Sequence, residues 1–247
     1  MTPDIPFRRA AVEPIECIKG GLDIIRNQYW LFVGMTLIGI IIGSAIPIVL
    51  LGPMMCGLHL AFFKARRGQP VEFGTLFKGF DYFGQSVIAT LIHTLPVILI
   101  VIPAYILFYV FVFVSMAAAG AGGEPNPAAF FGVMAMFGLF WLVVMVVIII
   151  ISVAFTFVYP LIVDRKLQAI DAVKLSFRAA MANFWRLLGM MLLTGLMNIL
   201  GVLACYVGAF FVMPIGYAAI AKAYEQVFGL NEETEFSNLP PPPPVFT

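Results

Sequence analysis

Two histidines are the side chains of this sequence best suited to chemistry, and both lie within long apolar stretches. His93 has Thr90 and Thr94 at helical spacing, which predicts a polar cluster on one helix face. Nucleophilic catalysis needs a nucleophile, a base and an orienting acid, and neither His59 nor His93 has a carboxylate neighbour in the sequence. We therefore predict no catalytic residues. We interpret the cluster as interhelical hydrogen bonding, with ligand binding as the alternative.

Motifs for cofactors and metals are missing from the sequence. Cys17, Cys56 and Cys205 are far apart and lack the spacing of a metal site. The sequence contains no phosphate-binding loop, HExxH run or CxxC pair. A net charge of +1 gives no reason to expect nucleic acid as a partner. We expect no cofactor, no metal and no nucleic acid.

The composition identifies a membrane protein. Hydrophobic residues make up 62% of the chain and charged residues 11%, whereas soluble domains carry about 25% charged residues. Charge-free stretches extend over 27–63, 82–123, 125–163 and 187–221. Each stretch is longer than the ~20 apolar residues that one crossing needs. We predict an all-α polytopic membrane protein.

The positions of the basic residues predict the topology. The fourteen Lys and Arg residues lie at 8–26, 64–78, 165–186 and 222. One crossing per stretch would place two of these clusters outside, against the positive-inside rule. Three hairpins instead place every Lys and Arg inside and leave Glu124 in an outer loop. We therefore expect a multi-pass membrane protein with both termini cytoplasmic.

Helix length supports six transmembrane helices. Stretch 27–63 would measure ~55 Å as one helix, against a hydrocarbon core of ~30 Å, and Pro47 supplies a break. The predicted helices lie at about 29–46, 47–66, 84–118, 128–163, 186–204 and 207–228. An alternative with eight membrane segments splits the two longest helices at their middles.

The two ends of the chain resemble each other at an offset of 155 residues. The aligned pairs include Glu16 with Asp171, Lys19 with Lys174, Trp30 with Trp185 and Gly34 with Gly189. Each copy reads as an amphipathic helix followed by a hairpin, and in the first copy Ile15, Leu22 and Ile25 share the apolar face. Phenylalanines at helical spacing over 73–83 predict a third such helix before the middle hairpin.

The predicted organisation is therefore a parallel internal repeat. An N-terminal cytoplasmic segment, 1–12, precedes a membrane domain over 13–228, and an acidic, proline-rich cytoplasmic tail covers 229–247. The repeat units of the membrane domain are 13–66, 71–163 and 166–228, each a cytoplasmic amphipathic helix with a membrane hairpin. Inverted repeats are frequent in transporters, so parallel repeats count against transport.

The middle hairpin is longer than a bilayer requires. Tyr105 and Trp141 mark the predicted outer interface, so that 107–140 would project beyond it. A large apolar hairpin is not stable in water. The candidate partner contacts in this segment are Phe108, Phe111, Phe130, Phe131 and Phe137. Tilted helices kinked at proline, with their ends in lipid, are the alternative.

The tail offers a second candidate contact. Five consecutive prolines form a stiff polyproline II segment. Such segments dock into aromatic grooves of partner proteins, which makes Pro240, Pro242 and Pro244 candidate contact residues. A disordered cytoplasmic end is the alternative.

Several short stretches carry a family resemblance. They are Gly52-Pro53 with Gly57, Arg67-Gly68, Leu76-Phe77 with Gly79-Phe80, and Asp171-Ala172 with Ser176. The chain resembles, through them, the membrane domain of uncharacterised bacterial inner-membrane proteins, which is also fused to some glycerophosphoryl diester phosphodiesterases. The resemblance implies a six-helix inner-membrane protein of undefined activity. It does not extend to the phosphodiesterase activity, because no such catalytic domain is present.

The sequence favours a non-catalytic inner-membrane protein that acts as a scaffold or accessory subunit of a membrane assembly. Its expected partners are membrane lipids and either other membrane subunits or further copies of the chain. A transporter or lipid-handling protein for an apolar substrate is the alternative. An intramembrane enzyme is the third hypothesis, and it would need a carboxylate, Cys or Ser within reach of His93.

Overall fold

A computed structural model describes residues 5–120, 127–203 and 207–230, and the regular elements in these ranges are all helical. Within them, six segments are long and apolar enough to cross a membrane. These are Pro14–Ala45, Pro47–Arg66, Phe73–Ser115, Met134–Asp164, Phe184–Leu203 and Val207–Phe228. An all-helical protein with six candidate membrane spans is thereby confirmed.

The chain divides into two compact units. The larger unit contains the described residues up to Thr90 and those from Ala154 onward, and the smaller unit is Leu91–Val153. The helices are α1 Pro14–Ile25, α2 Tyr29–Ala45, α3 Pro47–Arg66, α4 Phe83–Gly120, α5 Pro127–Ala154, α6 Val158–Asp164, α7 Ala169–Ala182, α8 Phe184–Leu203 and α9 Val207–Phe228. A long 3-10 segment occupies Phe73–Tyr82, and a short 3-10 turn occupies Arg26–Gln28.

The contacts of the larger unit form a closed circuit. α2 packs on α3, and α8 packs on α9. The three short elements pack on helices from other parts of the chain: α1 on α9, the 3-10 segment on α3, and α7 on α6. Because α1 and α9 lie at opposite ends of the described chain, their contact closes the circuit.

Glycines allow the backbones to meet in this circuit. A Cβ atom on Gly21 of α1 would lie 2.7 Å from the Ala219 nitrogen of α9. On α3, a Cβ atom at Gly57 would overlap the carbonyl oxygen of Leu76 in the 3-10 segment. Only a residue without a side chain permits such approaches, which small residues at packed membrane helices commonly provide.

The segment before α1 is also fixed to the larger unit. The Ala11 amide donates to Asn183 Oδ1 at 2.9 Å, and Asn183 Nδ2 donates to the Arg8 carbonyl oxygen at 3.2 Å. The Arg8 amide donates to the carbonyl oxygen of Val227 on α9 at 2.9 Å. These bonds join the beginning of the described chain to Asn183, between α7 and α8, and to α9.

The apolar face predicted for α1 is divided in the structure. Ile25 is fully buried together with Cys17 and Gly21, whereas Ile15 and Leu22 remain exposed. Cys17, which has a small side chain, and Gly21, which has none, fit against α9. The helix therefore turns part of its larger apolar surface outward. α1 therefore has one packed apolar strip and one exposed apolar strip.

The third short element is a 3-10 helix of ten residues, although runs beyond three or four residues are uncommon. Its period of three places Leu76 and Gly79 against α3, where both are buried. The same period turns Phe77 and Phe80 outward. The phenylalanine spacing therefore reflects an exposed row rather than a packed α-helical face.

The helix predicted over 128–163 is interrupted, so that this prediction of a single helix is wrong. α5 ends at Ala154 and α6 begins at Val158. Pro160 has no amide hydrogen to continue the helical ladder. Ser176 of α7 bridges the break, accepting from the Phe157 amide at 3.2 Å and donating to the Ala154 carbonyl oxygen at 2.7 Å. α4 runs unbroken through Pro96 and Pro103, contrary to the eight-segment alternative.

We expect Gly57→Ala to lower the free energy of unfolding by about 1–3 kcal/mol, because the new methyl group forces α3 away from the 3-10 segment. The matched control is Gly195→Ala on α8, where no atom lies within 4 Å of a Cβ atom. Denaturation in mixed detergent micelles would compare the two variants. Equal stability of both would show that the close approach at Gly57 is unimportant.

Candidate functional site

The predicted polar cluster lies on α4, with its residues in different units. Thr90 of the larger unit is buried, and its hydroxyl donates to the Ser86 carbonyl oxygen at 2.8 Å. The Tyr159 hydroxyl of α6 lies 3.0 Å from the same hydroxyl. His93 and Thr94 are half-buried residues of the smaller unit. Thr90 thus has partners on two helices, and a ligand-binding role for His93 and Thr94 stays a prediction.

The second histidine is buried in the larger unit. His59 Nδ1 lies 2.8 Å from the Met55 carbonyl oxygen, which assigns the ring proton to this nitrogen. The rings of Phe62 and Phe63 lie beside it. In the described ranges, Nε2 has no hydrogen-bond partner. His59 therefore lacks the carboxylate partner that would orient a catalytic base.

An aromatic pocket occupies the smaller unit. Phe108 of α4 and Phe137 of α5 stack with ring centroids 4.1 Å apart. The pocket has a volume of about 300 Å³ and is lined by Leu107, Phe108, Phe111, Met136, Phe137 and Phe140. Three predicted contact residues thus share one pocket.

The other predicted contacts are distributed differently. Phe131 is exposed on α5. The side chain of Phe130 lies outside the part of the chain that the structure describes, as do Pro240, Pro242 and Pro244.

Four rings form an aromatic layer in the larger unit: Phe63, Phe157, Tyr224 and Phe228. Phe63 of α3 lies 5.4 Å from Tyr224 of α9, measured between ring centroids. Phe157, in the break between α5 and α6, lies 6.4 Å from Tyr224 and 5.6 Å from Phe228. All four rings are buried. The layer therefore joins α3 and α9 to the break before α6.

A charged junction, formed by Arg67, Asp164, Arg165 and Tyr224, joins the same elements. The Asp164 side chain is fully buried at the end of α6. One carboxylate oxygen lies 3.0 Å from an Arg67 nitrogen, and the other accepts a 2.8 Å hydrogen bond from the Tyr224 hydroxyl. Arg165 Nε lies 3.4 Å from Asp164. A buried carboxylate requires such compensation, because isolated charge is strongly disfavoured away from water.

Two further interactions extend the junction along α9. Arg165 donates to the carbonyl oxygens of Phe228 and Gly229 at 3.2 and 3.3 Å, which satisfies groups at the helix end. Arg66 forms a two-pronged ion pair with Glu225, with both nitrogen–oxygen distances 2.8 Å. Lys222 also contacts Glu225, at 3.1 Å. Ion pairs and hydrogen bonds therefore join the ends of α3, α6 and α9, in addition to the aromatic layer.

A polar pocket of about 510 Å³ lies beside α1. Its charged lining residues are Glu16, Lys19, Asp23, Arg66 and Lys222. Lys19 pairs with Glu16 at 3.7 Å, and Arg66 is bound to Glu225. Because both signs of charge line the pocket and these two cations are paired, it is not specialised for an ion of either sign.

The sequence analysis did not identify the charged junction. Arg67, Asp164 and Tyr224 are widely separated along the chain. The sequence feature that these three residues share is their position, because each lies near the end of a predicted membrane helix. Charges at such sites ordinarily contact water or lipid headgroups, so that nothing in the local sequence distinguished the buried carboxylate.

Neither a metal centre nor a relative helps to define the chemistry. In residues 5–120, 127–203 and 207–230, no group of three His, Cys, Asp or Glu residues could hold a metal ion. Comparisons of the chain with protein families, curated proteins and solved structures found no match. The candidate site is therefore defined by geometry alone: a charged junction in the larger unit and an aromatic pocket in the smaller one.

We expect Asp164→Asn to lower the free energy of unfolding by about 3–5 kcal/mol, because it removes the buried negative charge that compensates Arg67 and Arg165. The control is Asp81→Asn at an exposed position, where a change within about 0.5 kcal/mol is expected. Chemical denaturation of both purified variants provides the measurement. A stable Asp164→Asn protein would rule out a structural role for the junction.

Proposed function

We propose that the protein is a non-catalytic scaffold or accessory subunit of a membrane protein assembly. In this proposal it resides in the bacterial inner membrane with both termini in the cytoplasm, in agreement with the resemblance described above. The larger unit is the rigid base, and the smaller unit contacts a second membrane subunit. Two sets of observations support this proposal: the closed packing of the larger unit and the exposed apolar surface of the smaller unit.

A threefold parallel repeat would explain the packing of the larger unit. α3, α6 and α9 are each followed by a residue with a left-handed backbone: Gly68, Lys166 and Gly229 have φ values of 69°, 51° and 70°. The number of residues between Pro53 of α3 and Gly68 equals the number between Pro214 of α9 and Gly229. In the proposed repeat, the 3-10 segment of the second unit packs on α3 of the first, and α7 of the third unit packs on α6 of the second. α1 of the first unit packs on α9 of the third.

The interior of the larger unit supports scaffolding over conduction. One aromatic side chain from each proposed repeat, Phe63, Phe157 or Tyr224, enters the aromatic layer. Their relative exposures are 2%, 0% and 0%. A conducting pathway needs a polar or hydrated lining, whereas these rings fill the space where the proposed repeats meet.

The observation that carries the proposal is the exposed apolar surface of the smaller unit. Phe113 is 74% exposed and Phe131 is 69% exposed, and aliphatic side chains elsewhere in this unit, such as Leu99, Leu107 and Leu139, are also exposed. α4 has 38 residues, or ~57 Å, which exceeds the ~30 Å hydrocarbon core. A partner subunit would cover apolar surface that extends beyond the bilayer.

A lipid-handling function is the second candidate. The aromatic pocket favours it, because Phe108, Phe137 and their neighbours form an almost wholly apolar lining in about 300 Å³. Such a pocket could accept an acyl chain without any buried charge. Lipid handling requires that the aromatic pocket bind lipid, whereas scaffolding requires that the surface of the smaller unit bind a partner protein.

Purification in mild detergent from native membranes should recover the protein with a stoichiometric partner, or as a defined oligomer. We expect the double substitution Phe113→Ala with Phe131→Ala to reduce recovery of the assembly at least tenfold, since aromatic side chains that a partner buries dominate interface energetics. Leu193→Ala, an exposed position on α8, is the control. A monodisperse monomer from the native source would contradict scaffolding, and stoichiometric bound lipid in that monomer would favour the alternative.

Cysteine labelling would test the orientation. In a chain without its native cysteines, we expect Glu124→Cys to react with a membrane-impermeant maleimide from outside. Glu72→Cys should react only after the membrane is permeabilised, because the positive-inside rule places the neighbouring basic residues in the cytoplasm. Reaction of Glu72→Cys in intact cells would overturn the topology and leave the packing of the larger unit unchanged.

A further inference from the structure

The aromatic pocket of the smaller unit lies on one side of the helix pair formed by α4 and α5. Each helix contributes three lining residues, namely Leu107, Phe108 and Phe111 from α4 and Met136, Phe137 and Phe140 from α5. Since a helix turns by ~100° per residue, each set covers ~100° of its helix. The stacked rings of Phe108 and Phe137 fix the direction in which the two helices face each other. Both sets therefore point to the same side of the pair.

The most exposed aromatic rings of this unit project from the opposite side. Phe113 is rotated by at least ~120° from every lining residue of α4, and Phe131 by at least ~120° from every lining residue of α5. Both rings are exposed. The helix pair therefore carries an aromatic pocket on one side and projecting aromatic rings on the other.

The Phe113 ring and the pocket lie at the same level along the helices. The ring contacts of Phe108 with Phe137 and of Tyr105 with Trp141 define an antiparallel register for α4 and α5. A helical side chain covers the turn that precedes its own Cα atom. The Phe113 ring therefore reaches the level of the residues between Leu107 and Phe111, which is the level of the pocket.

A projecting ring and an aromatic pocket at one level are complementary between two copies of the chain. The pocket has a volume of about 300 Å³ and an apolar lining, so that a phenylalanine ring can enter without burying a polar group. Because the two features lie on opposite sides, each copy offers Phe113 to one neighbour and its pocket to another. Such a head-to-tail contact closes into a ring where successive copies need no shift along the axis.

Charge and surface area also suit a second copy as the partner. Residues 91–120 and 127–153 contain no Asp, Glu, Lys or Arg, so that identical surfaces do not repel each other. A typical stable interface hides ~800 Å² per partner, and one aromatic side chain buries ~150–250 Å². The exposed side chains on the Phe113 side include Ile102, Ile106, Tyr109, Phe113, Phe131 and Leu142. This set is large enough for such an interface.

We propose that the smaller units of neighbouring copies assemble into a ring, with Phe113 of one copy seated in the aromatic pocket of the next. This inference rests on the proposed scaffold function, because it names a second copy of the chain as the partner at the same surface. A lipid in the pocket and a different protein at the surface are the competing occupants.

Disulfide cross-linking between two differently tagged full chains tests the contact. Both chains lack their native cysteines and share one membrane; one carries Phe113→Cys and the other Met136→Cys, at an exposed position of the pocket lining. Oxidation should give dimers that contain both tags. The matched control replaces Phe113→Cys by Leu99→Cys, which is exposed on the same side but ~21 Å away along α4. It should give at least tenfold fewer mixed dimers, and an equal yield would contradict the proposal.

Each variant alone tests the head-to-tail arrangement. Neither Phe113→Cys nor Met136→Cys should cross-link to itself, because the two positions lie on opposite sides of the helix pair. A chain that carries both substitutions should give a ladder of oligomers that ends at the number of copies in the ring. Efficient self-cross-linking of Phe113→Cys would overturn the proposal, since the same surface would then meet its own copy.

The same variant in native membranes separates this inference from the scaffold function. If Phe113→Cys forms its cross-links with a different protein, the inference fails and the scaffold function stands. If it cross-links to no protein and the purified chain is a monomer, both fail.

Leu107→Trp tests whether the pocket itself receives the ring. Leu107 is an exposed lining residue, so that a larger side chain there fills the pocket without disturbing buried packing. Added to the Met136→Cys chain, it should reduce mixed dimers with Phe113→Cys at least tenfold while the melting temperature stays the same. An undiminished yield with the pocket filled would overturn the proposal.

Discussion

Neutralising the buried Asp164 carboxylate is the constraint on which the larger unit depends. Its two oxygens require Arg67 from the end of α3 and Tyr224 from α9. Because Asp164 is itself the last residue of α6, the helices α3, α6 and α9 must meet at this carboxylate. The aromatic layer next to this point fills the remaining space with rings. The arrangement is specific because a shifted helix would leave a charged group without its partner in an apolar interior, at a cost of several kcal/mol.

The membrane helices were predictable because their signal is local. A charge-free run such as 187–221 has the composition and length of two crossings whatever lies beside it. The contact of α1 with α9 has no such signal, since it joins distant segments through the backbone at Gly21. The division of the apolar face of α1 has the same origin: the periodicity identified apolar residues, but not which of them meet another helix.

Two local features were misjudged for physical reasons. Pro160 gave a visible warning of a helix break, but the compensation comes from Ser176, which is remote in sequence. The phenylalanines of 73–83 fit both a period of 3.6 and a period of three, and the packing of Gly79 against α3 accompanies the latter. For the candidate site, the sequence indicated the aromatic residues around Phe108, since long apolar runs are conspicuous. The sequence did not indicate Tyr224, because the role of this residue depends on one hydrogen bond from its hydroxyl group to Asp164.

The contact between α1 and α9 has a consequence for biogenesis. A ribosome releases α1 long before α9, so that the two cannot associate until nearly all of the described chain has been synthesised. Pairs of neighbouring helices can enter the bilayer as they emerge, but the surface around Gly21 must wait for Ala219. Assembly of the larger unit is therefore a late event. Cys17, which donates to Gln226 in the finished protein, remains without this partner until α9 has been synthesised.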